Sequence, residues 1–289
     1  MKLIADSGAT TTDWAAIDTS GEVIRFSGFG YNPYYISEKE IGEDIAAHFP
    51  KGVDPMEVTE VEFYGAGVRP ALQAGMNASL RAAFPNAAVD SQSDTLGAAR
   101  ALLGRGKGFA SILGTGMNTC ICEGGFIVRN IMSLGYVLGD EGSGAYMGKR
   151  LVRDYLRGQM PPEALALARE AIGLEPDGIL SRVYKESFPN RWCAGFTRLI
   201  AGHLDIPYFK QLVESSFRDL FENVVTHYPD YRSYEFNCCG SVGFVFRDIL
   251  SKTCEDYGMR AGTFLKEPLD GLIAQTLKSM DQRNIHGTS

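Results

Sequence analysis

The sequence predicts an α/β protein made of two duplicated domains, the second enlarged by a helical insertion. Three observations carry this. Short apolar runs alternate with helical stretches. A strand–turn–strand–turn–strand pattern occurs twice, at a spacing of about 105 residues. Each occurrence is followed by a second signature of a strand, a glycine turn and a helix. The 289 residues are enough for one large domain or two of moderate size.

The first copy opens with the apolar run Leu3 to Ala5, followed by the small, polar stretch Asp6-Ser7-Gly8-Ala9-Thr10-Thr11-Thr12-Asp13. Trp14 to Ile17 comes next, then a turn at Thr19-Ser20-Gly21 and a last strand from Glu22 to Phe26. Turn formers between such runs predict an antiparallel meander. Val61 to Tyr64 then runs into Gly65-Ala66-Gly67 and a helical stretch from Pro70 to Phe84. In such a unit, N–H groups at the helix start face a ligand.

The second copy has Phe109 to Leu113, the turn Gly114-Thr115-Gly116-Met117-Asn118-Thr119, Cys120 to Cys122, the turn Glu123-Gly124-Gly125, and Phe126 to Arg129. Its strand–glycine–helix unit is Glu235 to Cys239, Gly240-Ser241-Val242, and a helical stretch from Phe244 to Tyr257. Between them, Ser143 to about His227 reads as helical, with no counterpart in the first half. Pro161-Pro162 opens one helix there. The expected domains are residues 1–104 and 105–269, with the insertion at about 145–227. A C-terminal helix at about 270–283 is expected to pack back on the first domain. Two lobes around a cleft are the expected arrangement.

Composition narrows the function. Hydrophobic residues at 45% and charged residues at 22% match an ordinary globular protein. A net charge of −7 argues against a general nucleic-acid binder, which needs a basic face. Met1-Lys2-Leu3-Ile4-Ala5-Asp6 reaches an acid too soon for a signal peptide. No apolar run approaches the roughly 20 residues of a membrane span, so no membrane partner is expected. The six cysteines form no CxxC pair and read as reduced, buried thiols. A cytoplasmic location follows, and a homodimer is left open.

Five stretches could carry chemistry. Asp6 to Thr12 sets a carboxylate at a strand end before a glycine and hydroxyls, which suits Mg²⁺ beside phosphate oxygens; a plain hairpin turn uses the same residues. Gly114-Thr115-Gly116-Met117-Asn118 repeats the device, and two such loops would clamp a polyphosphate. Gly144 to Lys149 resembles a P-loop only superficially, because Arg150 stands where Ser or Thr would hold Mg²⁺. In Gly139-Asp140-Glu141-Gly142-Ser143-Gly144, paired acids before a helix either cap it or accept hydrogen bonds from substrate hydroxyls. Asp94, before the Ala-rich stretch Leu96 to Leu102, is either an N-cap or the acid that takes a proton during phosphoryl transfer. Cys239-Gly240-Ser241-Val242 is either a tight turn or a backbone platform for a flat ring such as adenine.

In this order the motifs resemble the N-acetylglucosamine kinase and BadF/BadG-type ATPase group of the actin-like sugar-kinase superfamily, over nearly the whole chain. The resemblance implies two ribonuclease-H-like (actin-like ATPase) domains around a nucleotide cleft, with ATP and Mg²⁺ as cofactors. It implies Asp94 as catalytic base, with Asp90 a competitor of poorer register, and Asp6 as the Mg²⁺ organiser. It places Gly8, Thr10, Thr11, Gly114, Thr115 and Gly116 at the phosphates, and Gly240 with Ser241 at the adenosine. It assigns Asn32, Asn118, Asp140 and Glu141 to a sugar. Two departures stand out: Met117 replaces a serine, and Leu134 replaces a tryptophan found near the sugar in some relatives. The implied reaction is phosphorylation of an amino sugar, N-acetylglucosamine to its 6-phosphate. Alternatives are a BadF/BadG-type ATPase that activates a dehydratase, which needs cysteines around an iron–sulfur cluster, and a sugar sensor without turnover.

Overall fold

The computed structural model describes residues 1–8, 11–31 and 37–286, with the backbone alone for Glu38 and residues 283–286. Thr10 and Asn32 therefore lie outside the described residues. The chain divides into two units, each described separately below. Unit 1 comprises Met1–Gly106, Gly124–Phe126 and Glu267–Ser289; unit 2 comprises Lys107–Glu123 and Ile127–Lys266.

Unit 1 contains β1 (Lys2–Ser7), β2 (Thr11–Ile17), β3 (Val23–Phe29), α1 (Glu38–His48), β4 (Glu60–Gly65), α2 (Pro70–Ala83), β5 (Ala88–Ser93) and α3 (Asp94–Leu103). Unit 2 contains β6 (Gly108–Leu113), β7 (Met117–Glu123), β8 (Phe126–Ile131), α4 (Gly135–Leu138), α5 (Gly144–Leu156), α6 (Pro162–Ile172), α7 (Pro176–Tyr184), α8 (Pro189–Gly195), α9 (Thr197–Gly202) and α10 (Pro207–Asn223). It continues with β9 (Glu235–Cys239), α11 (Ser241–Val245), α12 (Arg247–Asp256) and β10 (Arg260–Leu265). The last helix, α13 (Pro268–His286), belongs to unit 1 and packs against α3 and β1.

The two sheets share one topology. In the first the order is β3-β2-β1-β4-β5, and in the second β10-β9-β6-β7-β8. β1 and β6 each pair antiparallel with the next strand, and parallel with β4 and β9 respectively. This is the duplicated α/β fold read from the sequence. Two strands carry no sequence signal. β5, with the sequence AVDSQS, and β10, with RAGTFL, are edge strands whose exposed side needs no apolar residues. The insertion also has a small counterpart after all: α1 occupies in unit 1 the place between the third and fourth strands that α4 to α10 fill in unit 2.

Each unit has its own core. In unit 1, Trp14 stacks on Phe26 at 5.7 Å and tilts against Phe63 and Phe84. In unit 2, Phe109, Phe221 and Phe236 meet the insertion helices. Phe209, Val213, Phe217 and Leu220 recur along one face of α10, and all are buried. Local signals mark the helix ends. Ser37 and Glu40 form a capping box on α1, and Gly173 ends α6 in the left-handed conformation.

Candidate active site

In unit 1, β1 delivers Asp6 and α3 delivers Asp94. Asp6 lies opposite Asp13 on β2 and beside Tyr64 on β4. Burial first, then the charges of Asp94, Asp13 and Glu267, push the Asp6 carboxyl up to about 7. The sequence-predicted pair is thus brought within electrostatic reach, and Asp13 and Glu267 join it. Asp13 was readable in principle, since a tight β1–β2 hairpin sets position 13 across from position 6. Glu267 comes from a distant segment and carries no local signal.

Asp94 does not cap α3. The N-cap is Ser93, whose hydroxyl accepts the Leu96 N–H at 3.2 Å, and Asp94 is the first helical residue. Its Oδ1 accepts the N–H of Thr95 at 2.7 Å. The capping alternative therefore falls away. Asp90 is engaged differently: its carboxylate is half exposed, lies 3.7 Å from Arg100 Nη1 and accepts from Gln92 Nε2. Gly97 sets the approach of α3, because a Cβ there would stand 2.7 Å from Tyr64 Cβ.

The small residues after Asp6 divide their tasks. Ser7 Oγ and Thr12 Oγ1 are 2.7 Å apart, Ser7 Oγ accepts the Tyr31 N–H, and Thr12 Oγ1 donates to Phe29 O. Those hydroxyls tie β1 to β2 and β3 and are buried. Gly8 and Thr11 are exposed, and the Gly8 N–H is turned to Thr11 O at 2.9 Å. Gly8 thus offers room in the turn, with its amide already taken.

In unit 2 the loop Gly114–Gly116 is held from behind. The first two amides of α5, at Gly144 and Ala145, donate to the carbonyls of Gly114 and Thr115 at 2.9 and 3.0 Å. The Gly114 N–H closes on Gly116 O. Thr115 is exposed, and among the described residues its amide and that of Gly116 have no hydrogen-bond partner. Two such N–H groups side by side suit an anion.

Asp140 stands against this loop. It is buried, adopts a left-handed backbone (φ +61°) unusual for a non-glycine, and accepts the Met117 N–H at 3.3 Å. Burial raises its carboxyl above the usual range, Glu141 adding to the rise while the Met117 amide and Lys149 oppose it. α5 is capped by Ser143, whose Oγ accepts the Tyr146 N–H, and by neither acid. Asn118 Oδ1 accepts from Thr119 N and from Asn130 Nδ2. The Met117 side chain is buried in the unit 2 core, whereas Leu134 is exposed at the start of α4. Gly240 (φ +119°) is obligatory, because a Cβ there would stand 2.5 Å from Leu113 O. It brings the β9–α11 turn, with exposed Ser241, against the end of β6.

Among the described residues no three His, Cys, Asp or Glu side chains converge closely enough to hold a metal alone. Mg²⁺ does not need that, since it keeps waters and uses one or two carboxylates plus phosphate oxygens. Asp6 fits this demand as the single carboxylate, with Asp94 within electrostatic reach of it. All six cysteines are buried, and Cys120 Sγ lies 3.7 Å from Cys122 Sγ. Among the described residues no helix is long and apolar enough to cross a membrane.

No protein-family model and no curated protein matches the sequence. Among solved structures, a Porphyromonas gingivalis protein provisionally named an N-acetylglucosamine kinase is 38% identical, covers 95% of this chain and 98% of its own, and superposes with a TM-score of 0.88. The chain belongs to that N-acetylglucosamine kinase-like family. A second protein of that provisional name, from Chromobacterium violaceum, is 17% identical over 95% of this chain and 98% of its own, with a TM-score of 0.70. A ROK family glucokinase from Streptomyces griseus, solved with glucose and AMPPNP, is 15% identical over 95% and 97%, with a TM-score of 0.53. The fold of this family is the actin-like ATPase fold.

Proposed function

We propose that the chain transfers the γ-phosphoryl group of ATP to a hydroxyl of an amino sugar, N-acetylglucosamine at its 6-hydroxyl being the leading substrate. The observation that carries this is Asp94: a carboxylate in the first turn of α3, relieved of capping by Ser93 and close enough to Asp6 to raise its pKa. In this reading Asp94 accepts the proton of the sugar hydroxyl as its oxygen attacks the γ-phosphorus and the bond to the β–γ bridging oxygen breaks, releasing ADP. The free amides of Thr115 and Gly116 donate to phosphate oxygens, and Gly8, Thr10, Thr11 and Gly114 are assigned to phosphate binding with them. Gly240 and Ser241 underlie the adenosine. Asp140, Glu141, Asn118 and Asn32 orient the sugar, Asp140 through the unusual backbone that turns it to the loop. Mg²⁺ bound at Asp6 would neutralise phosphate charge.

Domain limits near residues 104 and 269 belong to the same proposal. The test is an ADP-release assay across glucosamine, N-acetylglucosamine, N-acetylmuramic acid and glucose. Asp94→Asn should lower turnover by about 10²–10⁴-fold while ATP binding stays nearly unchanged. Full activity in that variant sinks the assignment.

A further inference from the structure

The insertion of unit 2 holds a cavity of about 640 Å³ that uses none of the residues assigned above. One wall is α5 with its C-cap: Lys149, Arg153 and the C-cap Arg157 recur at four-residue intervals, with Arg150 beside them. The opposite wall is α7, which contributes Ile179, Leu180 and Val183. Tyr136, Tyr146, Tyr184 and Cys193 add to the lining.

Four cations thus face one lining carboxylate, Asp219, in a chain whose net charge is −7. Arg150 is spent on Asp219, Ser215 and Ser216. Arg153 pairs with Asp154. Lys149 donates to Tyr136 O at 2.6 Å and lies over the Tyr136 and Tyr146 rings. The Arg157 guanidinium has no hydrogen-bond or ion-pair partner among the described residues. Favourable placement at a helix C-terminus accounts for Arg153 and Arg157. It does not account for Lys149 in mid-helix, or for the apolar wall across the gap.

We propose that this cavity is a binding site for a sugar phosphate. A phosphomonoester dianion matches Arg157, the cation left without a partner at the C-terminal end of the α5 stripe, with Arg153 one turn away; a ring with apolar faces matches α7 and the tyrosines, and the volume suits a small ligand. The same helix carries the consequence. The Gly144 and Ala145 amides of α5 hold the Gly114–Thr115 carbonyls, so a ligand that draws on α5 acts on the loop assigned to the ATP phosphates. That coupling rests on the kinase reading; the binding does not.

Calorimetric titration with N-acetylglucosamine 6-phosphate, in the presence of saturating ADP and N-acetylglucosamine, tests it. One site should appear in the wild-type protein. Arg157→Gln should weaken it by at least about tenfold, and Leu180→Glu, which sets a carboxylate on the apolar wall, should abolish it. Both positions are exposed, so the fold should tolerate either change. Absence of binding at millimolar ligand overturns the proposal, as does binding that neither variant alters. Inorganic phosphate that binds as tightly as the sugar phosphate overturns the ligand class. The kinase reading stands or falls separately, on ADP release by the wild type and by Asp94→Asn.

Discussion

Replacing Asp6 with asparagine should change how the stability of unit 1 depends on pH. The carboxyl titrates at about 7 in the folded protein against an ordinary 3.8, because burial and the charges of Asp94, Asp13 and Glu267 disfavour the ionised form. A group whose pKa rises on folding stabilises the native state below its unfolded pKa, and that contribution is lost as pH rises through the folded one. At 1.36 kcal/mol per unit the full span amounts to ~4 kcal/mol, of which about 2.5 kcal/mol falls between pH 5 and pH 8. Asp6 is half-buried, so relaxation and screening bring the expected figure to about 2 kcal/mol. Trp14 reports unit 1 from its core, and Trp192→Phe removes the other tryptophan. In metal-free buffer, urea midpoints followed by Trp14 fluorescence should show wild type losing stability toward pH 8 relative to Asp6→Asn. Mg²⁺ with a nonhydrolysable ATP analogue should narrow the gap. Parallel stability curves for the two proteins refute the reasoning.

Gly240→Ala should destabilise unit 2 by about 2–4 kcal/mol, because the φ of +119° and the 2.5 Å approach to Leu113 O both penalise a Cβ; thermal unfolding reads this directly. Gly97→Leu should lower turnover more than it lowers sugar or ATP affinity, since a side chain against Tyr64 lifts α3 and with it Asp94; steady-state kinetics separate the two. Tyr31→Phe should cost about 1–3 kcal/mol in denaturant unfolding, because the buried Asp44 carboxylate loses the 2.6 Å bond from the Tyr31 hydroxyl and keeps only the Phe29 N–H at its Oδ2.

The meanders were legible because small polar turns interrupt apolar runs at Gly8, Gly21, Gly114 and Gly124. The shared sheet order bears out the duplication drawn from them. Edge strands were not legible: Val89 is the one large apolar residue in β5, and half-solvated backbone asks for no more. At the site, residue types were readable but the division of labour among neighbours was not. Ser93 and Asp94 are both good caps, and so are Ser143 and Asp140. Backbone geometry alone gives the capping to each serine and leaves each carboxylate for other work. The left-handed conformation of Asp140 goes with local bonds, its N–H donating to Ser133 O and its carbonyl accepting the Ser143 N–H, while the Met117 amide, far along the chain, bonds its side chain.

The packing of α13 on α3 has a consequence for the order of biosynthesis. The helix that carries Asp94 is translated before any of unit 2, yet its supporting neighbour emerges only after unit 2 is made. Unit 1 must wait half-finished on the ribosome while a later unit is free to fold. A message cut short before residue 268 would yield a chain with every acid of the proposed chemistry except a buttressed Asp94. Such a product should be recognised by chaperones and proteases through the apolar face that Leu269, Leu272 and Ile273 normally cover.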